Sequence, residues 1–224
     1  MARRRTGDRE WPLKRGARMA AAPCERRLDR CTGGKILRVS ERERLLPSAA
    51  DVLAYWRALG PARRFTADAA VDLEIRERFH DLYLAASAGA LRHWEADAGR
   101  ALAHVITLDQ FPRNMFRGSA AAFAADPLAR AAAGRAIDRG LDRQADSIER
   151  SFFYLPYMHS EMLADQERCC DLCRAAGDEY TLKFALVHAD VIRRFGRFPH
   201  RNAVLGRGTT PEEQAFLDGG GFAA

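Results

Sequence analysis

Long apolar runs are missing from this chain of 224 residues. No stretch of eighteen consecutive apolar residues occurs, so the sequence predicts no membrane span. Runs of β-branched residues are scarce and alanine is abundant, which favours helices over strands. Arg3–Arg5 are not followed by the apolar segment that an export signal requires. Hydrophobic residues still make up 47% of the chain, enough to build a core.

Cysteine is present but lacks the pattern of a zinc site. The pair Cys170 and Cys173 forms a C-x-x-C with no second pair to complete four ligands, and no G-x-S-x-G nucleophile elbow occurs either. The interpretation we favour is that the cysteines are small apolar residues of a protein in the reducing cytoplasm. We expect no resident metal or cofactor. The five cysteines are Cys24, Cys31, Cys169, Cys170 and Cys173.

The net charge of +6 is unevenly distributed. Residues 1–47 hold 14 Lys and Arg against 6 Asp and Glu, so the remainder is slightly acidic. A nucleic-acid-binding surface over the whole domain is therefore not predicted. Residues 1–47 are interpreted either as a disordered basic arm or as a mis-called N-terminal extension, and we favour the second. A folded helical domain is expected over residues 48–222.

Capping and turn residues predict about eight helices with no strand pattern. Helices joined in antiparallel pairs by short loops suggest a solenoid or a compact bundle. The expected signals are Ser48 before Ala49–Leu59 and Gly60-Pro61 after it, Asp68 to Gly89, Ala98–Gln110 stopped by Pro112, Asp126 as N-cap to Gly140, Asp146 to Pro156, Ser160 as N-cap to Gly177, Asp178 to Gly196, and Thr210 before a short last helix.

A weak internal repeat supports the pairing of helices. A helix followed by Phe111-Pro112-Arg113-Asn114 resembles a later helix followed by Phe198-Pro199-His200-Arg201-Asn202. One shared way of ending a helix would explain both copies. In it the Phe anchors, the Pro breaks the helix, and Arg and Asn satisfy the last carbonyls.

Four segments resemble a family of uncharacterised bacterial proteins, the domain-of-unknown-function 924 family. They are Leu108–Gly118, Phe153–Glu161, Asp165–Arg168 and Arg194–Arg207. The resemblance covers roughly residues 48–222. It implies an all-α, tetratricopeptide-like fold and a cytoplasmic protein, and it implies no established reaction.

Within the stretch Val187–Arg207, residues 188–202 mix four arginines with two histidines and two phenylalanines, which is unusual for a solvated helix end. Arginines bind carboxylate and phosphate in a bidentate manner, so we expect a pocket for a small anionic molecule or a peptide carboxylate. If Arg193, Arg194, Arg197 and Arg201 all pointed separately into water, this expectation would fail. The candidate ligand-binding residues are Asp109, Arg113, Asn114, Asp190, Arg194, Arg197, Arg201 and Asn202.

Three other interpretations stay open. The polar residues form a structural ion-pair lattice, with Asp190 and Arg194 paired along one helix and His159 and His188 bonded to carbonyls. Alternatively, the protein is a hydrolase-like enzyme that uses histidine and carboxylate acid–base chemistry in the same pocket. As a third option, Tyr154, Tyr157 and Met158 are a hot spot of an interaction scaffold rather than core. The sequence leaves the oligomeric state undetermined. The candidate catalytic residues are His159, Glu161, His188 and His200.

Overall fold

The computed structural model describes residues 46–221, all of which fall within one compact unit. This region is all helical, with eight α-helices and no strand, as predicted. Four short 3-10 turns link the helices, and residues 1–45 lie outside the described part of the chain. The α-helices are α1 (Ala49–Arg64), α2 (Ala69–Ser87), α3 (Ala98–Met115), α4 (Asp126–Asp138), α5 (Ser147–Met158), α6 (Leu163–Ala176), α7 (Glu179–Phe195) and α8 (Pro211–Asp218).

Several helix starts form as their side chains predict. Ser48 and Asp51 make a reciprocal capping box on α1, and Thr210 and Glu213 make another on α8. The Asp178 carboxylate accepts from the amide of Thr181 and begins α7, which ends at Gly196 in the left-handed region. These starts depend on side chains within three residues of the cap, so local sequence determines them.

Three predicted helix boundaries are wrong, one of them an end and two of them starts. Pro112 does not stop α3, which continues to Met115 with the proline inside it. Asp126 is not an N-cap, because Ala125 occupies that position and the Asp126 carboxylate binds an arginine instead. Ser160 does not cap α6, because the N-cap of that helix is Met162. The Ser160 hydroxyl donates to the Asp165 carboxylate at 2.6 Å instead. In addition, α1 breaks at Gly60 (φ 68°) as expected but resumes and runs to Arg64.

Helix α3 lies at the centre of the fold. It packs against α1, α2, α4 and α5, and nearly all of its residues are buried. A helix enclosed on every side has no solvent-facing stripe, so its polar residues are buried with the apolar ones. Asp109 is consequently only 1% exposed. The main contacts of α1 are with α3 rather than with α2, and regular tetratricopeptide-like pairing stays an expectation.

Two apolar clusters support the C-terminal half. Tyr154, Tyr157 and Met158 belong to the main core, which contradicts the interpretation that they form an exposed hot spot. A smaller cluster of Val191, Ile192 and Phe198 lies under the segment after α7. Within residues 46–221, no helix combines the length and apolarity that a membrane crossing needs.

Candidate functional site

Charged and aromatic side chains from five parts of the fold converge beside the C-terminal half of α3. We call this group the Arg–His cluster. Its members come from α3, the start of α4, the end of α5, α7 and the 3-10 turn after α7. They are Asp109, Arg113, Asp126, His159, His188, His200 and Arg201, with Phe123 and Phe198 as apolar walls.

A buried carboxylate holds one histidine of the cluster. The Oδ1 atom of Asp109 lies 2.9 Å from Nδ1 of His159, and its Oδ2 accepts from Nε2 of Gln110 at 2.6 Å. Burial alone would raise the pKa of Asp109, but the charge of Arg113 and the contact with His159 bring it well below its usual range. Asp109 is therefore an anion, and the hydrogen bond places the imidazole proton on Nδ1, with Nε2 as acceptor.

The backbone around His159 is fixed by a buried glutamine. Nε2 of Gln166 donates to the carbonyls of Met158 at 2.7 Å and Ser160 at 2.6 Å, which flank the histidine. Burial is the largest influence on the pKa of His159 and lowers it, and the charge of Arg113 acts in the same direction. At neutral pH His159 is a neutral ring held by an ionised partner.

Two arginines share one carboxylate. Both Nη atoms of Arg113 donate to Asp126, at 2.9 and 3.1 Å. Arg201 reaches the same carboxylate with Nη1 at 3.5 Å, at the outer limit of a hydrogen bond. Asp126 thus makes two short hydrogen bonds with Arg113 and only a weak contact with Arg201.

Arg201 is buried and incompletely bonded. Its residue is 6% exposed, and its guanidinium lies 4.4 Å from the ring centroid of Phe123 and 4.6 Å from that of Phe198. Its Nε atom has no hydrogen-bond partner among the described residues. Burial and the neighbouring charge of Arg113 lower its pKa to about 10. A buried guanidinium with an unused donor is costly unless something binds it.

Two more histidines lie beside the Phe198 ring. Ring centroids of His188 and His200 are 5.7 and 5.6 Å from it, and Nδ1 of His188 bonds to the carbonyl of Phe184 at 2.7 Å, as the ion-pair interpretation expected. Burial lowers the pKa of His188 to about 3 and that of His200 to about 4. Both rings are neutral at physiological pH.

Glu161, a candidate catalytic residue, joins the two ends of the segment 198–207. Its carboxylate accepts from the Phe198 amide at 2.8 Å and from both Nη atoms of Arg207 at 2.7 and 3.0 Å. Arg207 also donates to the Phe198 carbonyl at 3.1 Å. Although burial opposes ionisation, Arg207 and the Phe198 amide keep the pKa of Glu161 below its usual value. This pair fixes the loop that carries Arg201.

Arg197 and Asn202 bind a carboxylate away from the cluster. Arg197 pairs with Glu213 in a bidentate contact at 2.6 and 2.8 Å, and Asn202 donates to the same carboxylate at 3.1 Å. These contacts attach the segment to α8. Asp190 and Arg194 lie on the exposed face of α7 and are 3.8 Å apart. The structure therefore brings together Asp109, Arg113 and Arg201 and leaves these four residues outside.

The two copies of the Phe-Pro/Arg-Asn repeat make matching contacts. Their arginines, Arg113 and Arg201, both contact Asp126. Asn114 donates to Asp72 at 2.8 Å, a carboxylate that also binds an arginine, just as Asn202 donates to the carboxylate of Glu213. The expectation that the asparagines satisfy helix carbonyls is wrong, although Arg113 does donate to the Asp109 carbonyl at 2.6 Å.

Sequence reasoning missed three residues of the site. Asp126 was assigned to a helix cap, and Phe123 and Arg207 had no assigned role. The available signal was charge balance, since two arginines beside apolar sequence require carboxylates beyond Asp109. Among the described residues, no group of three or more His, Cys, Asp or Glu side chains is arranged to hold a metal ion. Cys169, Cys170 and Cys173 are free thiols in the core.

Comparison with known proteins gives a family and no activity. Residues 52–221 match the family described as bacterial protein of unknown function, DUF924. The chain is also similar to a solved structure, the protein of unknown function ATU0120 from Agrobacterium tumefaciens. It shares 47% sequence identity with that protein at a TM-score of 0.74, over 76% of this chain and 97% of the other. No curated protein matches the sequence. Because the family match spans most of the chain and all the helices that build the Arg–His cluster, the chain belongs to the DUF924 family.

Proposed function

We propose that the Arg–His cluster binds a small anionic ligand carrying a carboxylate or phosphate group. The observation that carries the proposal is the state of Arg201. Its guanidinium is buried between two phenyl rings, its contact with Asp126 is at the limit of bonding, and its Nε has no partner within residues 46–221. An anion at this position would supply the missing acceptor.

The surroundings of Arg201 suit such a ligand. Arg113 offers a second guanidinium that already contacts the same carboxylate, and the side chain of His159 is 15% exposed, so the cluster reaches the surface there. The Phe123 and Phe198 rings shield the planar guanidinium from water, which strengthens a charge-assisted hydrogen bond. A free amino acid, an organic acid or a phosphorylated metabolite would present the required group.

The test is a titration with phosphate, sulfate, acetate and citrate by calorimetry. We expect Arg201→Met to weaken binding by about 30-fold, since a charge-assisted hydrogen bond contributes about 2 kcal/mol. Arg193→Met is the matched control, because Arg193 is an exposed arginine on the same stretch. Equal affinity in both variants, or no binding of any anion to the wild type, would contradict the proposal.

Acid–base catalysis is the second candidate function, favoured by the 2.9 Å contact between Asp109 and His159. A buried carboxylate that orients an imidazole is the arrangement that hydrolases use to hold a general base. Ser160 is a poor nucleophile here, because its hydroxyl is occupied by Asp165 and Arg130. Any hydrolysis would therefore use water. A screen of carboxylic and phosphoric esters checks this, with loss of turnover expected in His159→Gln and none in His93→Gln.

A further inference from the structure

The described charges of the Arg–His cluster balance without a ligand. Arg113 and Arg201 carry two positive charges, Asp109 and Asp126 carry two negative charges, and Glu161 is paired with Arg207. The three histidines are neutral. An anion that bound to Arg201 would therefore leave a net negative charge in a largely buried site, which is unfavourable unless a positive charge appears beside it.

One histidine is built to provide that charge. His159 already donates from Nδ1 to the ionised Asp109 at 2.9 Å, so a proton added at Nε2 would give an imidazolium with a carboxylate partner. The Phe184 carbonyl, to which Nδ1 of His188 bonds, carries no net charge. His159 is also 15% exposed at its side chain, so solvent can deliver the proton.

We propose that the cluster binds an anion together with one proton, and that Nε2 of His159 is the atom that takes the proton. The inference rests on the proposed function and adds a chemical selectivity to it. The net event is uptake of the anion and H⁺ from solution, with no bond made or broken in the ligand. A monovalent anion bound in this way adds no net charge to the cluster, and a divalent anion adds one negative charge instead of two.

The groups that surround His159 act in both directions. Arg113 and Arg201 oppose its protonation, whereas Asp109 and Asp126 favour it, and His188 and His200 stay neutral. A ligand anion adds a negative charge to these groups and so shifts the protonation equilibrium of His159 toward the imidazolium. The charged and titratable groups around it are Asp109 and Arg113 on α3, Asp126 on α4, Glu161 after α5, His188 on α7, and His200 and Arg201 on the turn after α7.

Calorimetry of the full chain with sulfate tests the proposal, because sulfate itself holds no proton between about pH 5.5 and about pH 8. Titrations in buffers of different ionisation enthalpy count the protons taken up. We expect about one proton per sulfate and an affinity that falls up to about tenfold per pH unit in the upper part of the range. His159→Gln keeps a donor toward Asp109 but cannot be protonated. It should bind sulfate more weakly, with no proton uptake.

Two further measurements keep the test independent of how His159→Gln folds. Histidine side-chain NMR of the wild type should show His159 becoming protonated when sulfate is added at neutral pH. His93→Gln is the control, because His93 is exposed and outside the cluster. It should behave as the wild type does. Acetate, which is also fully ionised above about pH 6, replaces sulfate if only carboxylates bind.

The outcomes separate the two proposals. Binding that depends on Arg201 but is independent of pH and takes up no proton would overturn the inference and leave the proposed function intact. Proton uptake that persists in His159→Gln would overturn the assignment to His159. Absence of any anion binding, or binding unaffected by Arg201→Met, would overturn the proposed function and the inference with it.

Discussion

Arg197 and Arg201 lie four residues apart in the segment after α7, yet they have opposite environments. Arg197 uses Nε and Nη2 on the Glu213 carboxylate and also donates to the Gly208 carbonyl at 2.9 Å. Arg201 is more deeply buried, yet within the described part of the chain its guanidinium makes one long hydrogen bond and its Nε has no partner. A saturated arginine stabilises the fold, whereas an arginine that is buried and unsaturated destabilises it slightly and keeps a donor for a ligand.

Among the substitutions, the largest effect on stability is expected at Glu213, the partner of Arg197. Glu213→Gln removes the charge that Arg197, Asn202 and the Thr210 amide share. We expect the free energy of unfolding to fall by about 2 kcal/mol, because several charge-assisted hydrogen bonds are weakened together. Urea denaturation checks this, and anion affinity should be unchanged. An unaltered midpoint would mean that this carboxylate contributes little to the fold.

Lowering the pH should destabilise the surroundings of Arg201 before those of Arg197. Burial depresses the pKa of His188 to about 3 and of His200 to about 4, so their contribution to stability is present above about pH 6.5 and is lost as pH falls through the folded values. Each can lower the unfolding free energy by up to about 1.4 kcal/mol per pH unit in this window.

The contacts of Glu213 with Arg197 and α8 should be lost only at lower pH. Arg197 depresses the pKa of Glu213 to about 2, so its contribution is lost only as pH falls from about 4.5 toward 2. Amide NMR across an acid titration distinguishes the regions, with signals of the segment 198–202 changing first. A simultaneous change in α8 would contradict the separation.

A smaller effect of opposite sign is expected for Arg201→Met. Methionine fills a similar volume between Phe123 and Phe198, and Asp126 keeps Arg113 as its partner. Replacing an incompletely paired buried charge by an apolar side chain should raise the unfolding free energy by about 1 kcal/mol. Thermal and urea denaturation give the measurement. A loss of several degrees in melting temperature would show that Arg201 stabilises the fold as Arg197 does.

The smallest effect is expected on the exposed face of α7. The contact between Asp190 and Arg194 is 3.8 Å long, and both side chains are more than half exposed. Arg194→Ala should change the unfolding free energy by less than about 0.5 kcal/mol. Its anion affinity should equal that of the wild type. A marked loss of affinity would return Arg194 to the list of ligand-binding residues.

Local chemistry explains which features of the fold the sequence could predict. The bounds of α7 follow from Asp178 and Gly196, whose effects need no information from the rest of the chain. Pro112 misled the prediction because α3 is enclosed by four helices, and packing outweighs the one backbone hydrogen bond that the proline removes.

The site was predictable in composition but not in pairing. The Phe-Pro/Arg-Asn repeat identified Arg113 and Arg201 as equivalent, and both do contact Asp126. The repeat does not show which arginine is fully hydrogen-bonded, because that depends on whether a carboxylate on a distant helix faces each guanidinium. Asp126 and Glu213 lie 75 and 16 residues away from their respective partners.

The link made by Glu161 determines how this part of the protein opens. Since one carboxylate holds both Phe198 and Arg207, the two ends of the segment between them are tied together, and Asn202 attaches its middle to the Glu213 carboxylate. Native-state hydrogen exchange should therefore show the amides of Arg201, Asn202 and Leu205, which are bonded within the loop, exchanging with one common free energy of opening. The exchange rates of the Asn202 and Leu205 amides would then measure how often the anion site at Arg201 opens.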